Sequence, residues 1–508
     1  MQHTFFMTAI GAGTGLTSVC LGLVRALDQL GIRVAFCKPI AQRYGTDPGP
    51  ERSTHLINAT LGLHPAAPIS LATAQQALSQ NKTDDLMEDV IQLFQQSAGE
   101  ADVVIVEGLV PLGDENYIGK LNVNMARALD ADVILVAAKN AESTAQLNER
   151  IQVSASLFGG IDNARVIACI LNKIGAPEPD YQQILPSEDG EQHLAIPTDP
   201  DKIIASLPVF SNPSFRFLGG IRWNPLLVAP RTRDVADHLQ ATLLNRGELE
   251  TRRVQAITVC ARTMRNMLHT LKAGTLVVTP GDREDIVLAS CMAALNGVPL
   301  AGLVLTGGLK LDDAVIDLCQ AAFATGLPMM EVNSNTFVTA QRLNAMNTEV
   351  PVDDVDRMDA VMNAVAADLD GAWLAQRARV GLEPRLSPPA FRHLLVGRAR
   401  RAKKRIVLPE GDEPRTVQAA IACQQRGIAH CVLLGKRDDI ERVAASRNLT
   451  LPPDLEIVDP EQARPRYIQP MVALRQHKGL TAPMAEAQLE DTVVLATMML
   501  ATRPWRLA

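Results

Sequence analysis

Apolar and polar positions along the chain fall into two recurring patterns. Short runs that are apolar almost throughout, such as HTFFMTAI at the amino terminus, read as strands buried on both faces. Stretches with apolar residues three and four apart, such as residues 17–30, read as amphipathic helices. The first region alternates the two. IRVAFCKPI, ADVVIVEGLVP, ADVILVAAK and ARVIACILNKI are its further strands, with a helical stretch near Leu121–Leu129. The Pro- and Gly-bearing run LPVFSNPSFRFLGGIRWNPLLVAP reads as its last strand and exit.

The pattern restarts near Arg231. VQAITVCA, GTLVVTPGDRED, LAGLVLTGG and LPMMEVNSN read as strands. The helices DIVLASCMAALNG and AVIDLCQAAFATG both run out at Gly, as helix carboxyl ends often do. VPVDDVDRMDAVMNAVAADLD closes this region as a helix, and a polar linker spans about Gln376 to Arg385. A third restart begins at Leu386: the helix PPAFRHLLVGRARRAKK, the strand RIVLPEGDE, the helix TVQAAIACQQRG, the strand AHCVLLG, a helix, the strand LEIVDP and two more helices. The pattern predicts an α/β protein of three successive domains with mainly parallel sheets, the last incomplete. Their expected extents are 1–229, 230–376 and 377–508.

Composition narrows the function. The chain has 508 residues, 47% hydrophobic and 21% charged, with a net charge of -7. Apolar material is ample for buried cores, and the acidic balance argues against a nucleic-acid partner. The eight cysteines are scattered without a CxxC pair and mostly sit in apolar runs, which predicts reduced thiols in a cytoplasmic protein. The amino terminus reads as a strand rather than a signal peptide. No apolar run approaches the ~20 residues of a membrane span.

The candidate chemistry sits in loops after strands. Gly11, Gly13, Gly15 and Thr17 belong to a Gly-rich turn that opens the first helix, where backbone N–H groups and the helix end face an anion. A nucleotide-binding P-loop requires Lys before the Ser/Thr; here that position is Leu16, so the loop reads as degenerate and hydrolysis is not expected. Glu107-Gly108 and Asn172-Lys173 also follow strands, and such an edge Glu or Lys is ordinarily solvated. Pro280-Gly281-Asp282-Arg283 and Thr306-Gly307-Gly308 either line an effector crevice or are tight turns that need glycine. Glu410, Asp412, Glu413 and Arg415 lie between a strand and a helix. Arg475, His477 and Lys478 lie near a helix end, where they either hold phosphates or simply complement the helix dipole.

At these residues the sequence becomes specific. LSPPAFRHLL…KRIVLPEGDEPRTVQAA…RGIAHCVLLG…EIVDPE…LRQHKG…AQLEDTVVLATMML resembles the start of the phosphate acetyltransferase catalytic domain. TAIGAGTGLTSVCLGLVRAL resembles the amino-terminal domain of the long bacterial form, related to dethiobiotin synthetase and typically P-loop-degenerate. AGTLVVTPGDRED…LAGLVLTGG resembles its middle domain, of the DRTGG type. The resemblance implies reversible acetyl transfer: acetyl-CoA plus phosphate gives acetyl phosphate plus CoA. It implies no cofactor and no metal, with those four small molecules as the partners, and a homo-oligomer in the cytoplasm with neither nucleic acid nor membrane. Arg475 matches a CoA-site arginine of the L-R-x-x-K-G segment, and Arg415 is a second anion contact. The family's substrate-binding serine and arginine and its proposed aspartate base match no position here. They would lie in roughly another two hundred residues of such a domain. The catalytic residues are therefore unassigned, Thr502 to Ala508 resemble nothing in the family, and impaired activity is the expectation. The other reading is a non-catalytic effector-binding or oligomerisation protein derived from that enzyme.

Overall fold

The computed structural model describes residues 2–42, 51–111, 116–139, 142–176, 200–347, 349–379, 387–447 and 449–502. The linker beyond residue 379 as far as 385 and the tail 503–508 lie outside the described residues. The chain forms two compact units, Met1–Ser387 and Pro388–Ala508.

The first unit holds two sheets. Six parallel strands make the first: β1 (His3–Ala9), β2 (Val34–Cys37), β3 (Val103–Glu107), β4 (Asp132–Ala138), β5 (Val166–Ile174) and β6 (Arg216–Arg222), in the order β2-β3-β1-β4-β5-β6. β3 and β4 are buried along their whole length, as their unbroken apolar runs require when helices cover both faces. The second sheet contains β7 (Thr242–Asn245), β8 (Ala256–Val259), β9 (Thr275–Pro280), β10 (Gly302–Thr306) and β11 (Met329–Glu331), ordered β7-β11-β10-β9-β8. β7 alone in this sheet runs antiparallel, against β11. Its four residues TLLN are too short to carry a period, and the sequence pattern leaves them unassigned.

The helix Val355–Asp368 does not close the second sheet. It returns to pack on the first helix, Leu16–Gln29, so that Val361, Met362 and Val365 share a core with Leu16, Val19 and Leu23. The approach is close: a Cβ at Gly22 would fall 2.3 Å from Val365 Cγ1. Arg25 of the first helix adds an ion pair to Asp359 at 2.6 Å. At the entry to the returning helix, Arg231 bonds Asp234 at 2.7 Å and Asp353 at 2.8 Å, while Arg253 bonds Asp354. This partly buried network ties the second sheet's first helix, Thr232–Leu239, to the returning segment.

The second unit contains three parallel strands, β12 (Arg405–Leu408), β13 (His430–Leu434) and β14 (Glu456–Val458), in that order. One core forms on each side. Val417, Ile421 and Ile440 fill one, and Tyr467, Met471, Leu489 and Leu495 fill the other.

Candidate functional site

Three of the sequence-selected loops meet at the carboxyl ends of the first sheet, the usual ligand position in an open parallel sheet. Gly13 and Gly15 have φ of 70° and 73°, a left-handed backbone that glycine adopts at little cost. Gly15 is also the N-cap of the first helix and supplies no side-chain hydrogen bond to it. The first-turn N–H groups of that helix therefore lack a capping side chain. Leu16, where a P-loop has its lysine, is 2% exposed and belongs to the core, so hydrophobic packing has taken over that position.

A lysine does lie nearby, on a different element. Lys38, just past β2, donates to Glu107 Oε1 and to the Gly108 carbonyl, both at 2.8 Å. The two side chains are 3% and 2% exposed. Ser53 and Thr17 hydroxyls also donate to Glu107 Oε1, each at 3.0 Å. Glu107 is thus not the solvated edge residue that its position suggests, but the hub of a buried polar cluster. Burial by itself pulls the Lys38 ammonium down. Attraction to Glu107 and Glu51 outweighs it, and the net pKa is raised. A lysine fixed this way has its charge already neutralised by Glu107, and it does not replace the missing P-loop cation. Thr17, chosen from the sequence as a loop hydroxyl, is engaged below the loop by Glu107.

Asn172 and Lys173 approach from the end of β5. Asn172 is buried, and its Nδ2 donates to the Thr14 carbonyl at 2.8 Å, holding the loop to the sheet. A Cβ at Gly15 would sit 2.6 Å from that same amide nitrogen, so the glycine is required by the contact as well as by φ. Lys173 has a φ of 57°, unusual for a residue with a side chain. Burial lowers its pKa. Gly11 packs against Arg150, whose Nη2 donates to the Ala138 carbonyl at 2.8 Å.

A cavity of about 150 Å³ opens against this loop, lined by Gly13–Ser18, Asn172 and Lys173 on one side and by Val350, Met358 and Val361 on the other.

The turns of the second sheet are closely packed. A Cβ at Gly281 would fall 2.1 Å from the Leu309 carbonyl oxygen, so the two Gly-bearing turns are packed backbone to backbone. Arg283 is occupied by Asp285 at 2.8 Å and by the Arg262 carbonyl at 3.0 Å. The geometry supports tight turns here.

In the second unit, Gly411 donates its N–H to the Leu434 carbonyl at 3.0 Å, and Gly435 does the same to Val458. These bonds prolong the ladder past the strand ends. Glu413 caps the helix Pro414–Gln425 by accepting from the Thr416 N–H at 2.8 Å, which accounts for that acid structurally. Arg415 lies in the first turn of the same helix, and Arg475 ends the helix Pro465–Arg475. Both guanidinium groups are exposed and have no hydrogen bond or ion pair among the described residues. Arg475 suits the negative carboxyl end of its helix; Arg415 stands at a positive amino end, where a cation is unfavourable. Helix stability therefore explains Arg475 and not Arg415. No group of three or more potential metal ligands occurs among the described residues.

Three family models match the chain: an AAA domain over residues 3–231, a DRTGG domain over 234–346, and a phosphate acetyl/butaryl transferase over 390–503. The chain is 49% identical over 500 residues to the phosphate acetyltransferase of Pseudomonas aeruginosa, covering 98% of this chain and 70% of that protein. It is 48% identical to that of Pseudomonas putida, at 98% and 70% coverage, and 47% identical to that of Nitrosomonas europaea, at 99% and 70%.

Proposed function

The chain belongs to the phosphate acetyltransferase family, and from that premise we propose how its residues serve the reaction acetyl-CoA + phosphate = acetyl phosphate + CoA. The similarity over 98% of the chain carries the assignment. A phosphate oxygen attacks the thioester carbonyl carbon, a tetrahedral oxyanion forms, the C–S bond breaks and CoA leaves as thiolate to be protonated. In reverse, a base takes the CoA thiol proton, the sulfur attacks the carbonyl of acetyl phosphate, and the C–O bond to phosphate breaks. The demands are positioning of two polyanions and stabilisation of the oxyanion. No redox step or covalent enzyme intermediate is needed, and we assign no cofactor.

Arg475 and Arg415 are the residues we assign to CoA. Their guanidinium groups, exposed and without a partner among the described residues, are available for charge-assisted bonds to phosphate. Arg415 carries the stronger physical argument, since an anion would relieve its unfavourable place at a helix amino end. We assign the protein to the cytoplasm: its eight cysteines form no disulfide, and no described helix is long and apolar enough to cross a membrane. We also assign a homo-oligomer, supported by exposed Met292 (56%) and Leu318 (68%) on neighbouring helices of the second sheet.

The test is acetyl-CoA formation from acetyl phosphate and CoA by the purified chain, and by a fusion carrying the remaining length of a relative. We expect Arg475→Ala to raise KM for CoA by roughly tenfold with a smaller effect on kcat, as expected of a charge-assisted contact made in both ground and transition states. Arg415→Ala should act in the same direction. Absence of acetyl transfer from both well-folded forms would refute the assignment of activity. An unchanged KM would remove the two arginines from the CoA site.

A further inference from the structure

The cavity against the Gly11–Ser18 loop has features that the acetyl-transfer reaction does not use. Thr14 is 1% exposed and its hydroxyl has no hydrogen-bond partner among the described residues. A buried hydroxyl without a partner is costly, and native structures rarely leave one so. The Lys173 ammonium, on the loop's side of the cavity, is also without hydrogen bond or ion pair among the described residues. It is carried there by a left-handed residue at the end of β5, where the pairing with β6 slips in register. Strained backbone of this kind persists where surrounding structure enforces it, often at ligand sites. The amino end of the 14-residue first helix faces the same space without a capping side chain. Among the lining residues, cations outnumber carboxylates: Arg52, Lys173, Arg222 and Arg357 against Glu349.

We propose that this cavity binds a compact oxyanion of the phosphate class, held by the first-turn N–H groups of the first helix, the Thr14 hydroxyl and the Lys173 ammonium. One phosphoryl group matches one desolvated cation, one hydroxyl and one helix end. A nucleoside triphosphate does not. Its chain of phosphates needs a cation where buried Leu16 stands and a free carboxylate for its metal, whereas Glu107 is committed to Lys38. The opposite wall is the returning helix Val355–Asp368, so an occupied site is in contact with the segment tied through Arg231 and Arg253 to the second sheet. All of the site's lining residues belong to the Met1–Ser387 unit, whereas Arg415 and Arg475 belong to the other.

The experiment is calorimetric titration of the full chain with sodium phosphate against sodium chloride of matched ionic strength, with tungstate-soaked crystals to locate the anion. Lys173→Met should weaken the phosphate-specific binding tenfold or more, Lys173→Arg should retain most of it, and Thr14→Val should weaken it several-fold. Without phosphate, first-unit peptides of the Thr14→Val and Lys173→Met chains should exchange their amides no faster than in the wild type, because one loses a buried hydroxyl and the other a half-buried ammonium, neither with a partner among the described residues. Displacement of phosphate by equal or lower acetyl phosphate would assign the site to a phosphate ester, and failure to displace would assign it to the free ion. The proposal is overturned if both variants titrate like the wild type, if tungstate is absent from the loop, or if ATP binds there a hundredfold more tightly than phosphate.

Discussion

The Lys38–Glu107 pair makes the first unit's stability open to a decisive test. Both groups are almost wholly buried, and Glu107 Oε1 collects the Lys38 ammonium and the hydroxyls of Ser53 and Thr17. Removing only one charge leaves the other buried and uncompensated, at a cost of about 3–5 kcal/mol. Lys38→Met and Glu107→Leu should each lose this amount. The double change Lys38→Met with Glu107→Leu loses less than the two singles together. It buries no lone charge; the Ser53 and Thr17 hydroxyls keep each other as partners, and mainly the Gly108 carbonyl loses its donor, a penalty of about 1–3 kcal/mol. The coupling energy should therefore be about 3 kcal/mol or more. Because the chain has two compact units, a single unfolding midpoint is not the right measure. Native-state amide exchange of peptides covering β1 and β3 reads the effect locally, with peptides from Pro388–Ala508 as internal reference. The folded pKa of Lys38 is raised, so its contribution is complete below the ordinary lysine value and is lost only as pH rises through the higher folded one. The coupling should thus be flat from about pH 6 to 9. A coupling below about 1 kcal/mol, or a single substitution that leaves β3 exchange unchanged, would refute the claim that this cluster is held by a buried charge pair.

Asp132, fully buried at the start of β4, meets His3 at 3.1 Å, Arg165 at 3.1 Å and Arg377 at 3.1 Å. Burial raises its pKa, these partners lower it by more, and the net shift is downward. Its contribution is therefore present above about pH 4 and lost as pH falls through the lower folded value, so Asp132→Asn should cost about 2–4 kcal/mol in urea unfolding at neutral pH and progressively less in acid. Gly22→Ala should destabilise the first unit by about 1–3 kcal/mol through its collision with Val365, with Val365→Ala restoring much of the loss; unaffected amide exchange in Leu16–Gln29 of Gly22→Ala would mean that the two helices can separate freely. Glu413→Ala should cost about 1 kcal/mol in the second unit by removing a helix cap, measured by exchange of the Pro414–Gln425 amides. ATP hydrolysis by the wild-type chain should stay at background, and turnover that disappears on changing Gly15 would contradict the reading of Leu16.

Legibility of the fold followed the range of the forces involved. The parallel strands announced themselves because burial on both faces demands unbroken apolar runs, and β3 and β4 were readable for that reason alone. β7 was not, since four residues on the edge of a sheet carry no period. The destination of Val355–Asp368 was equally hidden. Its periodicity specifies an apolar face but not the partner, and only the 2.3 Å approach at Gly22 identifies the first helix as that partner.

The site shows the same limit in chemical form. The Gly-rich turn, Glu107 and Asn172-Lys173 were all readable as loop residues at strand ends, and the lost P-loop lysine was readable from Leu16 itself. Lys38 was missed, although a signal existed. IRVAFCKPI and VVIVEG each end an apolar strand in a charge of opposite sign, and two such strands paired side by side can bury those ends only together. Thr14 carries no such signal, because whether a hydroxyl finds a partner depends on distances that no local pattern encodes. The same reasoning separates the two arginines of the second unit. Arg475 is explained equally by the end of its own helix, so sequence and geometry leave its role to the CoA titration. Arg415 opposes the dipole of the helix that carries it, and that local conflict is itself an argument for a bound anion.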